Sequence, residues 1–282
     1  MKIIRSKSCL TLLIILFVIG FNTSAKSLIG FPVFMPGGLY PVNETPAVAN
    51  PNSVIYPASL QDYRKQTKEY ITAYSKKERK YVIHIFSKGK NFFPKALEVL
   101  DKYDVPMELQ MIPVLESEFN ANAVSSAGAV GHWQFMSTLA KEYGLRTGGK
   151  YDERRNFAKS TVAAAKFFRD QLDYFNEDLL LSVAAYNCGQ GRVRSSIKKS
   201  GKADADFWDI KKYLPAETRK FVMNFIALNV IFSNYEKFLN NALNFNEPPL
   251  IQNEPPVIQI ATQDSTITGK DSVSSVSSAM VL

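Results

Sequence analysis

The chain has 282 residues, of which 46% are hydrophobic and 21% are charged, with 14 glycines and 14 prolines. This composition excludes collagen, a wholly disordered chain and a protein made mostly of membrane-spanning helices, and the length excludes a disulfide-stapled miniprotein. The net charge of +8 indicates an anionic partner, such as nucleic acid, phospholipid or a cell-wall polymer, without choosing among them.

The amino-terminal segment, residues 1–25, has the layout of a secretory signal peptide. Three basic residues precede an apolar run from Leu10 to Phe21, and small residues lead to a cleavage position after Ala25. An uncleaved anchor is the alternative, but the run is shorter than the roughly 20 residues of a spanning helix. Cys9 precedes the apolar run, so no lipobox is seen, although membrane association stays open. We therefore expect an exported protein that is periplasmic or associated with the cell envelope.

Composition and hydrophobic spacing divide the rest of the chain and predict a mainly α protein. Residues 26–59 are rich in proline and predict an extended linker arm. Residues 60–104 place aromatic and apolar side chains at helical spacing, which predicts a helical amino-terminal extension of two or three helices. Helical patterns alternate with glycine breaks over 105–245. Residues 246–282 form a Pro/Ser-rich tail, expected to be disordered apart from one short strand at 257–260.

Glu116 is a carboxylate within an apolar stretch. The stretch is predicted to be a helix that Pro106 can begin and that Pro113 must kink or restart. Apolar neighbours would raise the pKa of Glu116 and keep it protonated near neutral pH, as a general acid requires. For this residue alone, an exposed or helix-capping glutamate is the alternative interpretation.

Two later stretches suit ligand binding. In 125–136, small residues allow the backbone to approach a ligand, and an aromatic-amide cluster of the kind that binds sugars follows. The alternative is a tight turn leading into a buried tryptophan, and we expect His132 to be a polar surface or subsite residue there. In 184–193, Tyr186 and Asn187 lie at a helix end that Gly189 stops.

In this order and at this spacing, the three stretches resemble the lytic transglycosylases of the soluble-lytic type, which are related to goose-type lysozyme. The resemblance is closest to the D-type membrane-bound branch and runs from about Pro106 to Leu228. It rests on five blocks: Glu116-Ser117, residues 128–131 with 133–136, residues 152–155, residues 184–189 and residues 214–219.

The resemblance implies a lysozyme-like transglycosylase domain over 105–245 that cleaves the MurNAc-GlcNAc β-1,4 bond and forms a 1,6-anhydromuramyl product. Glu116 would be the single catalytic acid/base, and Ser117 would orient its carboxyl or the departing sugar. The glycan strand of peptidoglycan is the implied partner, and no metal or cofactor is required. By the resemblance, substrate-binding roles around the scissile bond fall to Ser117, Gln134, Met136, Tyr186 and Asn187.

Three departures from the family leave alternatives open. Ser137 stands where a proline is usual, Phe221 stands where a tyrosine is common, and no wall-binding repeat is recognisable in 246–282. One alternative is therefore a catalytically weak peptidoglycan-binding or scaffold protein. Another is a goose-type lysozyme-like hydrolase of the same bond, although glycosidases normally use two carboxyl groups. Neither Glu118 nor Asp152 suits the second role, because Glu118 is too close in sequence and Asp152 is expected to pair with one of the two following arginines.

Other classes fit the chain less well. A cysteine peptidase would need Cys188 with His84 or His132, but nothing near Cys188 indicates a lowered thiol pKa, and a buried core thiol is expected instead. Two histidines are too few for a His-rich metal site, and the signal peptide disfavours nucleic-acid binding.

The positive charge is concentrated in two segments. Residues 64–102 contain 11 basic and 4 acidic residues, and residues 192–220 contain 9 and 4, whereas residues 103–191 contain 8 and 11. Surface helices alone can produce such runs. The sharper hypothesis is that the two basic flanks bind the acidic wall polymer while a non-basic cleft keeps Glu116 protonated.

Overall fold

A computed structural model describes residues 53–246 and the backbone of residues 250–252. The predicted signal peptide, the linker arm up to residue 52 and the predicted strand at 257–260 lie outside the described residues. Within those limits, no helix is both long enough and apolar enough to cross a membrane.

Three helices form the predicted extension, as the aromatic spacing indicated. They are α1 (Arg64–Lys77), α2 (Arg79–Gly89) and α3 (Phe93–Lys102), and a 3₁₀ helix at Ala58–Tyr63 precedes them. Fully buried side chains on all three enter the same hydrophobic core as the later helices. The extension is therefore packed with the following helices into one body. Its contribution to the core includes Ile71, Ile85 and Leu100.

The rest of the described chain is also helical, which confirms the mainly α class. Helix α10 (Ala216–Ser233) contacts α1, α4 (Ile112–Ser117) and α7 (Leu179–Cys188), and its buried side chains run from Thr218 to Phe232. It is the central element against which the extension and the later helices pack. The remaining helices are α4 (Ile112–Ser117), α5 (Ser137–Glu142), α6 (Phe157–Tyr174), α7 (Leu179–Cys188), α8 (Gln190–Ser200), α9 (Phe207–Ile210), α10 (Ala216–Ser233) and α11 (Tyr235–Leu239).

A small parallel sheet joins the two ends of the folded body. Strand β1 (Ile55–Pro57) pairs with β2 (Leu250–Gln252) in a register that opposes Ile55 to Leu250. The Asn234 side chain fixes β1 to the end of α10, because its amide group accepts from the Ile55 N–H at 2.8 Å and donates to the Ile55 carbonyl at 2.7 Å. Val54 and Tyr56 are fully buried, so packed structure begins upstream of Leu60.

The long connection between α4 and α5 folds into a compact turn. Val124 and Phe135 each form an antiparallel bridge with Val130. Arg154 holds the turn by donating a hydrogen bond to the Phe135 carbonyl at 3.0 Å. Its guanidinium group also forms an ion pair with Asp152 at 2.6 Å. The predicted ion pair of Asp152 is thereby confirmed, and it is almost completely buried.

Two glycines of this turn make a matched test of how tightly it packs. Gly131 and Gly128 have nearly the same positive φ, 85° and 86°, but a Cβ on Gly131 would lie 2.0 Å from the Arg154 carbonyl oxygen, whereas one on Gly128 would meet nothing within 4 Å. Gly131→Ala should therefore lower the free energy of unfolding by about 3 kcal/mol or more, and Gly128→Ala by about 1 kcal/mol from backbone strain alone. Urea unfolding measures both values. Equal losses would contradict the close approach.

Candidate active site

Glu116 lies in the last turn of α4, where the backbone changes direction abruptly. As predicted, Pro106 precedes a 3₁₀ helix at Met107–Met111, and Pro113 lies in the first turn of the restarted helix. Proline is tolerated there because the first helical N–H groups have no intrahelical acceptor. The residue as a whole is half-buried, and its carboxyl group is closely surrounded by protein.

Two consecutive residues in the left-handed region end α4. Glu118 and Phe119 have φ values of 52° and 58°, which side chains other than glycine adopt only at a cost. The Phe119 ring is buried, stacked on Phe92 at 4.6 Å between centroids and packed edge-on against Phe93 at 5.3 Å. This aromatic packing offsets the backbone strain and fixes where the helix end, and with it Glu116, lies.

The electrostatics of Glu116 suit a proton donor. Burial raises its pKa to about 8, and the negative charge of Glu217 contributes in the same direction. The predicted effect of the apolar surroundings is confirmed, and no basic residue of the described chain is among the groups that shift this pKa. Near neutral pH the carboxyl group is therefore mostly protonated.

Ser117 connects the end of α4 to the turn. Its hydroxyl donates to the His132 carbonyl at 2.8 Å and accepts from the Asn120 N–H at 3.2 Å. In the structure it therefore ties the residue next to Glu116 to the backbone that follows α4. Its predicted role toward the carboxyl group or the departing sugar stays a prediction.

Gln134 and Met136 flank Phe135, which forms one of the two bridges of the turn. Gln134 has a φ of 47°, and its Nε2 donates to the Gly131 carbonyl at 2.8 Å, so its amide oxygen is left for another donor. Met136 precedes α5 and is 46% exposed, which is unusual for a large apolar side chain and suits contact with a sugar face. Ser137 simply forms the first residue of α5.

Tyr186 and Asn187 lie in the last turn of α7, which ends at Gly189 as predicted. The Tyr186 ring stacks on Phe168 at 5.0 Å, and its hydroxyl donates to the Trp133 carbonyl in a short hydrogen bond. Burial and the charge of Glu116 hold the pKa of Tyr186 well above its usual value, so the phenol stays neutral. Because the charge of Glu116 acts on it, Tyr186 lies in the same electrostatic environment as the carboxyl group.

His132 and Trp133 are both structural. Trp133 is fully buried and donates from Nε1 to Thr161 at 3.0 Å, which agrees with the turn leading into a buried tryptophan. The expectation that His132 is a surface or subsite residue is wrong. It is 5% exposed, and its ring packs among Phe92 and Phe157 at 5.5 and 5.1 Å, where burial lowers its pKa.

Cys188 is not activated as a nucleophile. Burial raises the pKa of its thiol, so the cysteine-peptidase reading finds no support in the site. Among the side chains of residues 53–246, no three His, Cys, Asp or Glu groups converge as a metal site would require.

Two residues that sequence reasoning did not assign complete the site. Glu217, in the first turn of α10, is the like charge that raises the pKa of Glu116. Its neighbour Thr218 is buried and donates to the Asn187 Oδ1 at 2.8 Å, which fixes that side chain. Both belong to the block 214–219, but nothing in their spacing indicates that α10 returns to α4.

The comparisons with known proteins agree with this arrangement. Residues 98–208 match the family described as the Transglycosylase SLT domain. The match spans Glu116, the turn, and the end of α7, and the resemblance to the lytic transglycosylases is confirmed.

Curated relatives share parts of this chain. The protein is 33% identical over 177 residues to membrane-bound lytic murein transglycosylase D of Escherichia coli K12, covering 62% of this chain and 38% of that one. It is 32% identical over 149 residues to peptidoglycan transglycosylase gp16 of Escherichia phage T7, covering 52% and 11%. The chain thus spans well under half the length of these relatives.

Among solved structures, the 70 kDa soluble lytic transglycosylase of Escherichia coli is similar with a TM-score of 0.41 and 22% identity, covering 52% of this chain and 25% of that one. An inactive mutant of the lytic transglycosylase Slt of Pseudomonas aeruginosa is similar with a TM-score of 0.41 and 21% identity, covering 54% of this chain and 24% of that one.

The raised pKa of Glu116 predicts a pH-dependent gain in stability on its removal. The folded protein holds this proton up to about pH 8, whereas the usual pKa of a glutamate is 4.5, so folding becomes less favourable as the pH rises from 4.5 through 8. The Glu116→Gln variant has no carboxyl group to ionise, so its stability should not fall over this pH range. Its free energy of unfolding should exceed that of the wild type by about 1–2 kcal/mol at pH 9 and differ little at pH 4. Urea unfolding at both pH values measures this.

The same substitution at Glu98, exposed on α3, controls for the loss of a surface carboxylate. A gain for Glu116→Gln that is equal at pH 4 and pH 9 would contradict the burial of the charge.

Proposed function

We propose that this protein is a peptidoglycan lytic transglycosylase in which Glu116 is the single acid/base. The observation that carries the proposal is the carboxyl group of a half-buried glutamate, with a pKa raised to about 8, at a helix end within the segment that matches the SLT family. A carboxyl group with this pKa is mostly protonated at neutral pH, as a general acid must be. The names of the relatives, which include lytic murein transglycosylase and peptidoglycan transglycosylase, support the same substrate.

The proposed reaction needs no water. Protonated Glu116 donates to the oxygen between N-acetylmuramic acid and N-acetylglucosamine, and the bond from that oxygen to the muramyl C1 breaks. The muramyl N-acetyl group assists at C1 as the leaving sugar departs. The Glu116 carboxylate then takes the proton from the C6 hydroxyl, whose oxygen bonds to C1. The product is a 1,6-anhydromuramyl end, and Glu116 is protonated again.

The surrounding residues have matching roles in this proposal. Gln134 offers its amide oxygen and Met136 its exposed side chain to the sugars at the scissile bond. Asn187, held by Thr218, offers its amide nitrogen there. Tyr186 is a neutral phenol whose hydrogen bond to the Trp133 carbonyl fixes its ring beside Glu116.

A second candidate function is hydrolysis of the same bond. Glu217 favours it, because a carboxylate near the general acid is the partner that glycosidases use to activate water. In the lytic reaction, by contrast, Glu217 acts only through its charge, which helps to keep Glu116 protonated.

We also propose an envelope location. The amino-terminal sequence pattern supports export, and the relative from Escherichia coli is named as membrane-bound. The basic segments 64–102 and 192–220 suit contact with an acidic wall polymer.

Removing the carboxyl group of Glu116 tests the catalytic assignment. Glu116→Gln should lower the cleavage of purified peptidoglycan by roughly 10²–10⁴-fold, because no other group supplies the proton. Mass spectrometry of the wild-type products should show anhydromuramyl ends, which are one water lighter than reducing ends. Retained cleavage by the variant would reject the assignment, and wild-type binding to sacculi without cleavage would identify the scaffold alternative.

Glu217→Gln separates the lytic reaction from hydrolysis. If Glu217 acts only through its charge, its removal lowers the pKa of Glu116, and the alkaline limb of kcat/KM shifts to lower pH. Activity on the acid side of the profile should stay close to that of the wild type. If Glu217 activates water, the variant instead loses activity at every pH, and the wild-type products carry reducing ends.

A further inference from the structure

A groove opens between the helical extension and the end of the catalytic helix. It has a volume of about 480 Å³ and lies between α1, α2, α4 and α10. One wall is formed by the extension, and the other by residues next to the proposed catalytic centre. The side chains that define it include Tyr70, Tyr74, Tyr81, Leu115, Lys220 and Asn224. We call this feature the tyrosine groove.

The three tyrosines present both flat faces and hydroxyl groups. Tyr70 and Tyr74 are stacked with their centroids 6.1 Å apart and their planes 24° apart. Tyr70 donates to Asn224 Oδ1 at 2.6 Å, which ties the extension to α10. All three rings are half-buried, and burial raises the pKa of each, so their hydroxyls are neutral donors and acceptors. Such a surface matches a ligand with an apolar face and a hydroxylated rim.

The charges of the groove balance. Lys77 and Lys220 are opposed by Glu78 and Glu118, and Lys77 lies 3.7 Å from Glu78. A groove with two cations and two anions has no preference for a strongly acidic or basic ligand, in contrast to the basic surface of the rest of the extension. A neutral sugar suits it better than the charged peptide stem of peptidoglycan does.

Asn224 of the groove lies on the same face of α10 as Glu217, whose charge acts on Glu116. Glu217, Phe221 and Asn224 are spaced by four and three residues, so they lie on the same side of that helix. Seven residues of helix span about 10 Å, which places the groove beyond the sugars next to the scissile bond. On the opposite wall, Leu115 of the groove immediately precedes Glu116.

We propose that the tyrosine groove is a distal glycan subsite, contributed mainly by the helical extension, that binds sugars away from the bond being cleaved. The inference rests on the proposed function and adds a region of substrate binding to it. It also gives the extension a role beyond packing, since long glycan strands would contact it while short ones would not.

The test fills the groove without touching the catalytic residues. Ala73 is an exposed residue of α1 that lines the groove. Ala73→Leu therefore places a larger side chain in the groove. Because leucine favours helices and the position is outside the core, the fold should be unchanged. Ala158→Leu, at an exposed position near the start of α6, is the matched control. The substrates are peptide-free glycan strands, from a tetrasaccharide to long strands.

Ala73→Leu should lower kcat/KM on long strands by about tenfold and leave the tetrasaccharide within about twofold of the wild type. Ala158→Leu should match the wild type on both. Tyr81→Ala should repeat the length-dependent loss, and Tyr81→Phe should largely restore binding because it keeps the flat ring. A loss that is equal at all lengths, or no loss at any length, overturns the proposal.

Binding to the catalytically blocked protein keeps this test separate from the proposed reaction. Calorimetry compares Glu116→Gln with the double variant Glu116→Gln and Ala73→Leu. Each is titrated with long peptide-free strands and, separately, with strands that bear peptide stems. Weaker binding of the double variant supports the groove even if the wild type cleaves nothing. Equal binding of the two, or a difference that arises only with strands bearing peptide stems, overturns the assignment to sugars.

Discussion

The electrostatics of the site depend on the carboxyl group of Glu116, which keeps its proton near neutral pH although the residue is only half-buried. Removing a carboxylate from water is costly, so the fold must hold Glu116 in a poorly hydrated position by other interactions. Buried packing of Phe119 fixes the helix end despite two left-handed residues, and Ser117 ties that end to the adjacent turn. Glu217 adds a like charge. A nearby lysine or arginine would undo the arrangement.

Features that depend on neighbouring residues in the chain were predictable from the sequence. The aromatic spacing gave the three helices of the extension, Pro113 marked the restart of α4, and Gly189 marked the end of α7. The apolar run around Glu116 was enough to predict its raised pKa, because desolvation is the larger of the two causes. The pairing of Asp152 with Arg154 is likewise a local interaction.

Features that depend on distant parts of the chain were not predictable. Glu217 affects Glu116 only because α10 packs on α4, and no periodicity encodes that contact. His132 was misjudged because a polar residue beside glycines suggests an exposed turn, whereas the rings of Phe92 and Phe157 come from other elements and cover it. The proline-rich composition of 26–59 likewise predicted a linker and not the short strand at Ile55–Pro57, because the partner of that strand, β2, is distant in the chain.

The pairing of β1 with β2 has a consequence for how the chain folds as it is made. Ile55 is held by Asn234, 179 residues later, and by a strand that follows still further on. Synthesis proceeds from the amino terminus, and contacts of such long range close slowly because of loop-closure entropy. Tyr56 is fully buried in the finished fold and is paired with Ile251, so its cover stays incomplete until β2 has been made. The nascent chain therefore exposes the edge of β1 during the synthesis of nearly 200 intervening residues.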